Sequence, residues 1–229
     1  MELKRVPGLV SVVIPCWNRK QYIRDCLDRL AKQTYGNMEI IVVNDGSTDG
    51  SADVVRHWRD ASGRLKRRIV LINLPRNIGY AGAVTVGMFA TRGEFIALQD
   101  SDDYAHPERM RKQVNHLRKH PRIGIVGTNY RVVESGRVQW NKQPGWLAFG
   151  EKNVHARYRR GSHCLTVGST MIRGRAFDRV GGMNRRVNGA EDWELIDHYI
   201  QKGVRVDNLM DVLHFVRRHA GQRSRKFYR

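Results

Sequence analysis

The sequence has few cysteines, few acidic residues and no long apolar run. Its 229 residues include three cysteines, Cys16, Cys26 and Cys164, an odd number at wide spacing. This usage excludes a disulfide framework and a cysteine-based zinc site, and it fits a reducing compartment. No run of about 18 apolar residues is present, so we predict no membrane-spanning helix. The first residues also lack a signal-peptide core, and we therefore expect a cytoplasmic protein.

The shortage of acidic residues leaves a large positive charge. Lys and Arg total 41 against 22 Asp and Glu, which gives a net charge of +19. The excess favours anionic partners: nucleic acid, lipid head groups or phosphorylated small molecules. The 41% hydrophobic and 28% charged contents are otherwise those of a globular protein. Without repeats or linkers, residues 1–229 are predicted to form a single domain.

Short apolar runs alternate with amphipathic stretches over the first hundred residues. Strands are predicted over residues 10–15, 38–43, 69–74, 94–98, 123–128, 130–133, 165–172 and 204–212. Strand–helix alternation at short spacing in the first half predicts right-handed crossovers and a parallel sheet. Residues 144–160 read as a loop or a surface helix, and residues 191–202 as a helix ending at Gly203.

Polar clusters follow four of the predicted strands. They are Cys16–Asn18, Asn44–Gly46, Asn77–Gly79 and Asp100–Asp103. In parallel sheets, ligands bind beyond the carboxyl ends of the strands, so these clusters are expected to meet at one edge. That edge is the predicted binding site.

The densest cluster holds three aspartates, Asp100, Asp102 and Asp103. Carboxylates this close raise one another's pKa unless a cation neutralises them. Oxygen ligands suit Mg²⁺ or Mn²⁺, which keep positions open for substrate phosphates. The alternative is a solvated acidic turn that caps a helix at Pro107–Glu108.

Three further candidates have an ordinary structural interpretation beside a functional one. Asp45 either braces a turn through backbone amides or accepts a hydrogen bond from a nucleobase. Glu191 and Asp192 either cap a helix or supply a general base. His219 is either a surface residue of the basic tail or a ligand for metal or phosphate.

Several ordered stretches together point to one family. They are Val10–Asn18, Glu39–Asp49, Asn77–Gly79, Gly93–Asp103, Gly181–Met183, Gly189–Leu195 and Val216–His219. The series resembles the family 2 glycosyltransferases. The resemblance implies an α/β, single-domain, A-type glycosyltransferase fold, with a mostly parallel central sheet flanked by helices and a Rossmann-like N-terminal half. Residues of about 9–105 would bind the nucleotide-sugar, and about 106–229, with the basic C-terminal tail, the acceptor.

The resemblance also implies a donor site. Residues implied in nucleotide-sugar binding are Pro15, Trp17, Asn18, Asp45, Asn77, Gly79, Asp100, Ser101, Arg217 and Arg218. Asp45 is implied to accept from the ring imide of uracil or thymine, so the expected donor is a UDP- or dTDP-sugar. Asp102 of the Asp-x-Asp motif is the implied metal ligand, with His219 completing a Mn²⁺ or Mg²⁺ site.

The implied reaction is an inverting displacement. Asp192 would deprotonate a hydroxyl of a glycan or lipid-linked acceptor, and Glu191 and Trp193 would lie on the acceptor side. Cell-surface polysaccharide synthesis is the expected role, with a peptide or protein acceptor as the alternative. The predicted helix of small residues that follows Asn77–Gly79 carries Val84–Thr85 where family members often have Arg-Asn. Arg76 is a candidate to replace the missing arginine.

Two other functions compete with this hypothesis. A nucleotidyltransferase would need a Gly-rich basic loop after the first strand, and Pro15–Asn18 contains no glycine. A nucleic-acid-binding module is suggested by charge alone, but no recognised motif supports specific nucleic-acid binding. We also hypothesise that Arg157–Arg160 and the tail Arg217–Arg229 hold the protein at the inner face of the cell membrane, against anionic lipid.

Overall fold

The fold is a mixed sheet with helices on both faces. The computed structural model describes residues 4–61, 68–141, 144–187 and 189–222. Within these residues the strands are β1 (Val6–Cys16), β2 (Met38–Asn44), β3 (Ile69–Asn73), β4 (Gly93–Leu98), β5 (Tyr104–Ala105), β6 (Ile123–Glu134), β7 (Arg137–Val138), β8 (Met171–Arg173) and β9 (Arg205–Arg217). The helices are α1 (Lys20–Ala31), α2 (Ser51–Ala61), α3 (Tyr80–Phe89), α4 (Arg109–Lys119), α5 (Glu151–Arg159), α6 (Gly174–Val180) and α7 (Glu191–Gln201).

The first four strands form the parallel half of the sheet. Their order is β3-β2-β1-β4, every neighbouring pair is parallel, and α1, α2 and α3 make the connections. Every residue of β2 is buried, as expected for a parallel strand covered on both faces. The predicted Rossmann-like half is thus confirmed, and the carboxyl ends of these strands meet at one edge.

The second half extends the same sheet with mixed pairing. The order continues β4-β8-β6-β9-β5, and β7 pairs with β6. β8 is antiparallel to both β4 and β6, whereas β6 and β9 run parallel. The fold class is therefore confirmed, with the parallel arrangement concentrated in the N-terminal half.

Two hydrophobic layers sandwich the sheet. Val12 and Ile14 of β1 point into a layer formed with α1, α2 and α4. Val13, between them, points to the opposite layer, formed with α3, α5, α6 and α7. This alternation follows from the two-residue period of a strand. Both layers hold the strands in place and so fix the positions of the loops at their ends.

Three segments differ from the predicted strands. Residues 123–133 form one strand with shifted register around Asn129, because β9 pairs along its whole length. Residues 167–169 form a 3-10 turn before β8. The hydroxyls of Ser169 and Thr170 donate to the backbone carbonyls of Thr166 and Val167, and these local hydrogen bonds compete with pairing to a neighbouring strand. β9 runs to Arg217, beyond the predicted residue 212, and so places His214 inside the sheet.

No helix of the described ranges is long and apolar enough to cross a bilayer. Residues 223–229, which hold much of the predicted basic tail, lie outside the described residues. The division into a donor half and an acceptor half at about residue 105 stays a prediction.

Candidate active site

Asp45 joins the ends of three strands at the carboxyl edge. Its backbone N–H donates to Cys16 O at 2.8 Å, and its carboxylate accepts from the N–H groups of Ile78 at 2.7 Å and Gly79 at 3.1 Å. The residue is 2% exposed. Burial raises the pKa of Asp45 above its ordinary value, although the two amides lower it. The turn-bracing role is therefore visible, and contact with a base stays a prediction.

The loop beside Asp45 requires glycine. Gly46 has a φ of +66°, and a Cβ there would lie 2.6 Å from Asn77 N and 2.7 Å from Arg76 C. Two turns therefore touch through bare backbone. The side chain of Asn77 accepts from the N–H of Gly79, at the start of α3. Asn77 and Gly79 are thus brought next to Asp45, as expected.

The end of β1 is less uniform. Pro15 is a buried residue of the strand, whereas Trp17 is 48% exposed. Asn18 has a φ of +51°, and its side chain accepts from Thr48 N at 2.9 Å. Asn18 therefore ties two loops together, and α1 begins after Arg19. Of these residues, Trp17 offers an open aromatic surface at the edge.

Asp100 is half-buried just beyond the end of β4. Tyr80 Oη donates to it at 3.0 Å, and a Cβ on Gly168 would lie 2.3 Å from its Oδ2. Burial, followed by the charges of Asp103 and Asp102, raises the pKa of Asp100 to about 7. Its carboxylate is therefore held by packing in a place where negative charge is destabilised.

Asp102 has two basic partners. Its Oδ2 lies 2.9 Å from Arg19 Nε and 2.9 Å from His219 Nε2. Burial acts to raise its pKa, but the hydrogen bond from His219 and the charge of Arg19 lower it below the ordinary value. The His219 ring packs on Tyr22 with centroids 4.5 Å apart. Ser101 is buried next to Asp102.

Asp103 is held from β9. Its Oδ2 lies 3.1 Å from Nε2 of the fully buried His214, and its Oδ1 accepts from Arg217 N at 2.8 Å. The Arg217 side chain donates to the backbone carbonyl of Asp102. Arg218 lies apart, with its guanidinium 3.8 Å from the Glu134 carboxylate. β9 therefore fixes the Asp-rich loop.

This loop suits a divalent cation. Ligand atoms of Asp100, Asp103 and His214 lie within 4.8 Å of one another. His214 Nδ1 is buried, with no hydrogen-bond partner among the described residues. Asp102 and His219, the predicted ligands, are hydrogen-bonded to each other beside this group. Hard oxygens with one imidazole fit Mn²⁺ or Mg²⁺, and the choice of ligands stays a prediction.

The other predicted residues begin α7. Glu191 is buried and accepts from Gly189 N at 2.8 Å, so it braces the turn. Asp192 is partly buried in the first helical turn. Burial raises the pKa of Tyr158 well above its ordinary value, and the nearby charge of Asp192 adds to the rise. Trp193 packs against the hydrophobic layer under α7, and its indole N–H is buried without a partner in the described residues.

Comparison with known proteins identifies the family. The profile described as "Glycosyl transferase family 2" matches residues 11–181, which include the turns that follow β1, β2, β3 and β4. The chain belongs to glycosyl transferase family 2. Over 227 residues this family 2 chain is 28% identical to EpsE of Bacillus subtilis, a protein assigned as a glycosyltransferase, and the match covers 96% of the chain and 76% of EpsE. It is 28% identical over 194 residues to the hyaluronan synthase of Pasteurella multocida, covering 84% of the chain and 19% of the synthase.

Solved structures confirm the A-type glycosyltransferase fold of this family 2 chain. S. aureus TarS, residues 1–349, in complex with UDP-GlcNAc superposes with a TM-score of 0.76 at 22% identity, over 96% of this chain and 61% of that one. The Pyrobaculum calidifontis mannosyltransferase PcManGT, in complex with GDP-Man and Mn²⁺, gives 0.69 at 21% identity, over 93% and 57%. The chain thus spans about three fifths of these structural neighbours.

A buried arginine that no motif of the sequence indicates lies beneath the Asp-rich loop of this family 2 chain. Arg109 is 0% exposed, and it donates to the Gln99 side chain at 2.9 Å and to Leu98 O at 2.8 Å. Gln113, one helical turn later, accepts from Arg109 at 3.1 Å. Both residues occupy core-facing positions of α4, and polar residues on an apolar stripe were the available signal. Arg109 thus supports the end of β4, just before Asp100.

A second missed arginine lies over the start of α3. A Cβ on Gly82 would be 3.3 Å from Arg185 Nε, and the charge of Arg185 lowers the pKa of Asp45 against the rise caused by burial. This exposed cation is therefore next to the place where Val84–Thr85 departs from the family pattern. The candidate predicted from the sequence for that role is Arg76. No sequence pattern links Arg185 to Asp45, because the two residues are 140 positions apart in the sequence and only the packing of the fold brings them together.

Proposed function

We propose that this domain is an inverting, metal-dependent glycosyltransferase. It moves a sugar from a UDP- or dTDP-sugar to a hydroxyl of a glycan or lipid-linked acceptor, in cell-surface polysaccharide synthesis. The observation that carries the proposal is the Asp100–Asp103 loop at the carboxyl end of β4, held by Arg19, His214, Arg217 and His219. Such a loop provides both the acidic ligands and the basic groups that a metal-bound diphosphate needs.

On the donor side, Asp45 and the exposed ring of Trp17 accommodate the nucleobase. Asp45 is already oriented by Ile78 and Gly79, so its remaining lone pairs are presented in a fixed direction. Asp100 and Ser101 lie toward the ribose. Arg185 adds a cation near Asp45 that complements the negative charge of the donor.

The diphosphate lies at the Asp-rich loop. Asp102 and His219 would hold Mn²⁺ or Mg²⁺, with Asp100, Asp103 and His214 beside them. A bound divalent cation supplies positive charge that stabilises the leaving diphosphate. Arg217 and Arg19 contribute further positive charge from the protein itself, at the place where charge develops.

Asp192 acts as the general base. It accepts the proton of the acceptor hydroxyl while that oxygen bonds to the anomeric carbon and the bond to the diphosphate breaks. This single displacement inverts the anomeric centre. The first turn of α7 suits a carboxylate because the helix N-terminus stabilises negative charge.

The relatives support the class of reaction. TarS is solved with UDP and with UDP-GlcNAc, and PcManGT with GDP-Man and Mn²⁺, so neighbours of this fold take nucleotide-sugars. Hyaluronan and chondroitin synthases of Pasteurella multocida are among the sequence relatives, in line with polysaccharide synthesis.

Calorimetric titration tests the donor site. UDP, dTDP, GDP and CMP are titrated with Mn²⁺ and then with EDTA, on the wild type and on Asp102→Ala. We expect one uracil or thymine nucleotide to bind only with metal, and Asp102→Ala to lose that binding. Asp211→Ala is the matched control, since Asp211 is an exposed carboxylate paired with Lys112. Binding of no nucleotide by a folded sample, or a product with retained configuration, contradicts the proposal.

Contact with anionic lipid is a further part of the hypothesis. Arg157, Arg159 and Arg160 are exposed around the end of α5. Each basic residue near an anionic surface contributes about 1 kcal/mol of attraction. Sedimentation with phosphatidylserine vesicles at low salt tests this, and failure to sediment rejects it.

A further inference from the structure

An exposed tryptophan lies on a stack of aromatic side chains in the second half of the chain. Trp146 is 37% exposed, and its ring stacks on His163 with centroids 5.4 Å apart and planes 25° apart. Its indole N–H donates to Tyr130 Oη at 3.1 Å. Behind it, Tyr158 Oη and His163 Nδ1 lie 2.7 Å apart. We call Tyr130, Trp146, Tyr158 and His163 the aromatic platform.

The loop that carries Trp146 is fixed at several points. Leu147 and Ala148, which follow it, are buried. Ala148 N donates to Cys164 O at 3.3 Å, and the side chain of Asn208 donates to Ala148 O at 2.8 Å. The indole therefore has a fixed backbone, a fixed N–H and one covered face. Its remaining exposed surface is apolar and preorganised.

The aromatic platform packs against elements that carry residues of the predicted chemistry. Tyr130 pairs in register with His214, whose ring contacts Asp103 of the Asp-rich loop. At the other end, Tyr158 lies close enough to Asp192 for that charge to affect its pKa. The aromatic platform is therefore connected through β6 and β9 to the Asp-rich loop, and through the hydrophobic layer that contains Tyr158 and contacts Trp193 to the start of α7.

The chemistry of the aromatic platform selects among possible acceptors. Burial lowers the pKa of His163 to about 4, so its ring is neutral at pH 7. Tyr130 and Tyr158 are neutral as well, because burial raises the pKa of each phenol. A neutral aromatic face with hydroxyl groups at its sides suits the C–H face of a pyranose, with the sugar hydroxyls at its rim. A peptide or a lipid chain would have to be held by other features.

We propose that Trp146, backed by His163 and held by Tyr130, is the subsite on which a sugar ring of the acceptor stacks. The acceptor presented to Asp192 is then a glycan. This inference rests on the proposed function for the identity of the general base, but the subsite itself is tested by carbohydrate binding alone.

Ligand-observed NMR with saturation transfer is the test. The probes are neutral oligosaccharides of glucose, galactose, mannose and N-acetylglucosamine, in α and β linkages, with the full chain. We expect at least one to bind the wild type, and Trp146→Ala or Trp146→Leu to weaken that binding roughly tenfold, whereas Trp146→Phe retains most of it. The leucine variant covers the case in which the alanine variant does not fold.

The matched control is Trp140→Ala. Trp140 is 60% exposed and its ring contacts Phe215. Phe215 pairs with Arg131, the residue after Tyr130, and therefore lies on the opposite face of the sheet from Tyr130. We expect Trp140→Ala to bind the oligosaccharide as the wild type does. Equal losses at Trp140 and Trp146, or no loss at Trp146, overturn the proposal, as does a wild type that binds none of the sugars.

Nucleotide titration separates this inference from the proposed function. Trp146→Ala should bind UDP or dTDP with Mn²⁺ within twofold of the wild type. Sugar binding that depends on Trp146 in a protein that binds no nucleotide would retain the subsite and reject the transferase. Nucleotide binding without any sugar binding would do the reverse.

Discussion

The donor edge and the aromatic platform are built from opposite kinds of chemistry. At the donor edge, formed by the turns after β1 to β4, three aspartates are fixed by charged or polar partners: Asp45 by amides, Asp102 by Arg19 and His219, and Asp103 by His214. At the aromatic platform, Trp146 and His163 are fixed by stacking and by single hydrogen bonds between neutral groups.

The difference follows from what each region has to hold. A diphosphate and a cation carry full charges, which need preorganised opposite charges in a partly buried place. A sugar ring is neutral and has one apolar face, so fixed charges would gain little against its desolvation. Perturbing each region separately should therefore give effects of different kinds and sizes.

The largest effect is expected at Asp192, the proposed general base. Asp192→Asn keeps the shape but cannot take the proton of the acceptor, so transfer should fall by about 10²–10⁴-fold. Nucleotide binding and oligosaccharide binding should both stay within twofold of the wild type. The measurement is the rate of product formation by the wild type and by Asp192→Asn at saturating donor. Asp197→Asn on the same helix is the control, and an equal loss there would argue against a general base at position 192.

The next largest effect is a loss of stability when Arg109, which supports the donor edge, is replaced. Arg109→Met removes a buried guanidinium and leaves Gln99 and Leu98 O without a donor, so the free energy of unfolding should fall by about 3 kcal/mol. Urea denaturation measures it. Arg111→Met, on the exposed part of α4, should change it by less than about 0.5 kcal/mol. A small effect of Arg109→Met would mean that the hydrogen bonds of Arg109 contribute little to the stability of the fold.

A smaller loss is expected when the space around Asp100 is filled. Gly168→Ala puts a Cβ 2.3 Å from Asp100 Oδ2, so the loop must shift, at a cost of roughly 1–3 kcal/mol. Metal-dependent nucleotide binding should weaken together with stability. Gly36→Ala is the control, because a Cβ there has no neighbour within 4 Å. Unchanged nucleotide affinity in Gly168→Ala would show that the loop tolerates displacement.

The smallest effect sharpens the view of the aromatic platform as a neutral surface. Burial lowers the pKa of His163 in the folded chain to about 4, below the ordinary histidine value of about 6.5. Between these values the unfolded chain binds the proton and the folded chain does not, so stability is lost as pH falls from about 6.5 to 4. From pH 7 to pH 5 the wild type should lose about 2 kcal/mol more than His163→Phe. Equal losses in urea denaturation at both pH values would mean that His163 carries charge in the fold.

Much of the donor edge could be predicted because its signals are local. Apolar runs such as residues 38–43, each followed by a turn cluster, identified parallel strands and therefore the edge at which ligands bind. The irregular segments were harder. The hydroxyls of Ser169 and Thr170 donate to nearby backbone carbonyls, and the strand predicted over residues 165–172 is therefore reduced to β8.

By itself, the sequence determined the α/β class, the parallel half and the positions of Asp45, Asp100, Asp102 and Asp192 at element ends, since strands have a period of two residues and helices a period of 3.6. Only the tertiary structure decided which groups hold them. Arg19 meets Asp102, and His214 meets Asp103, across 83 and 111 positions. The aromatic platform likewise joins β6, the loop before α5, α5 itself and His163. Such long-range pairs depend on sheet register and on packing between layers, and no local pattern in the chain encodes either.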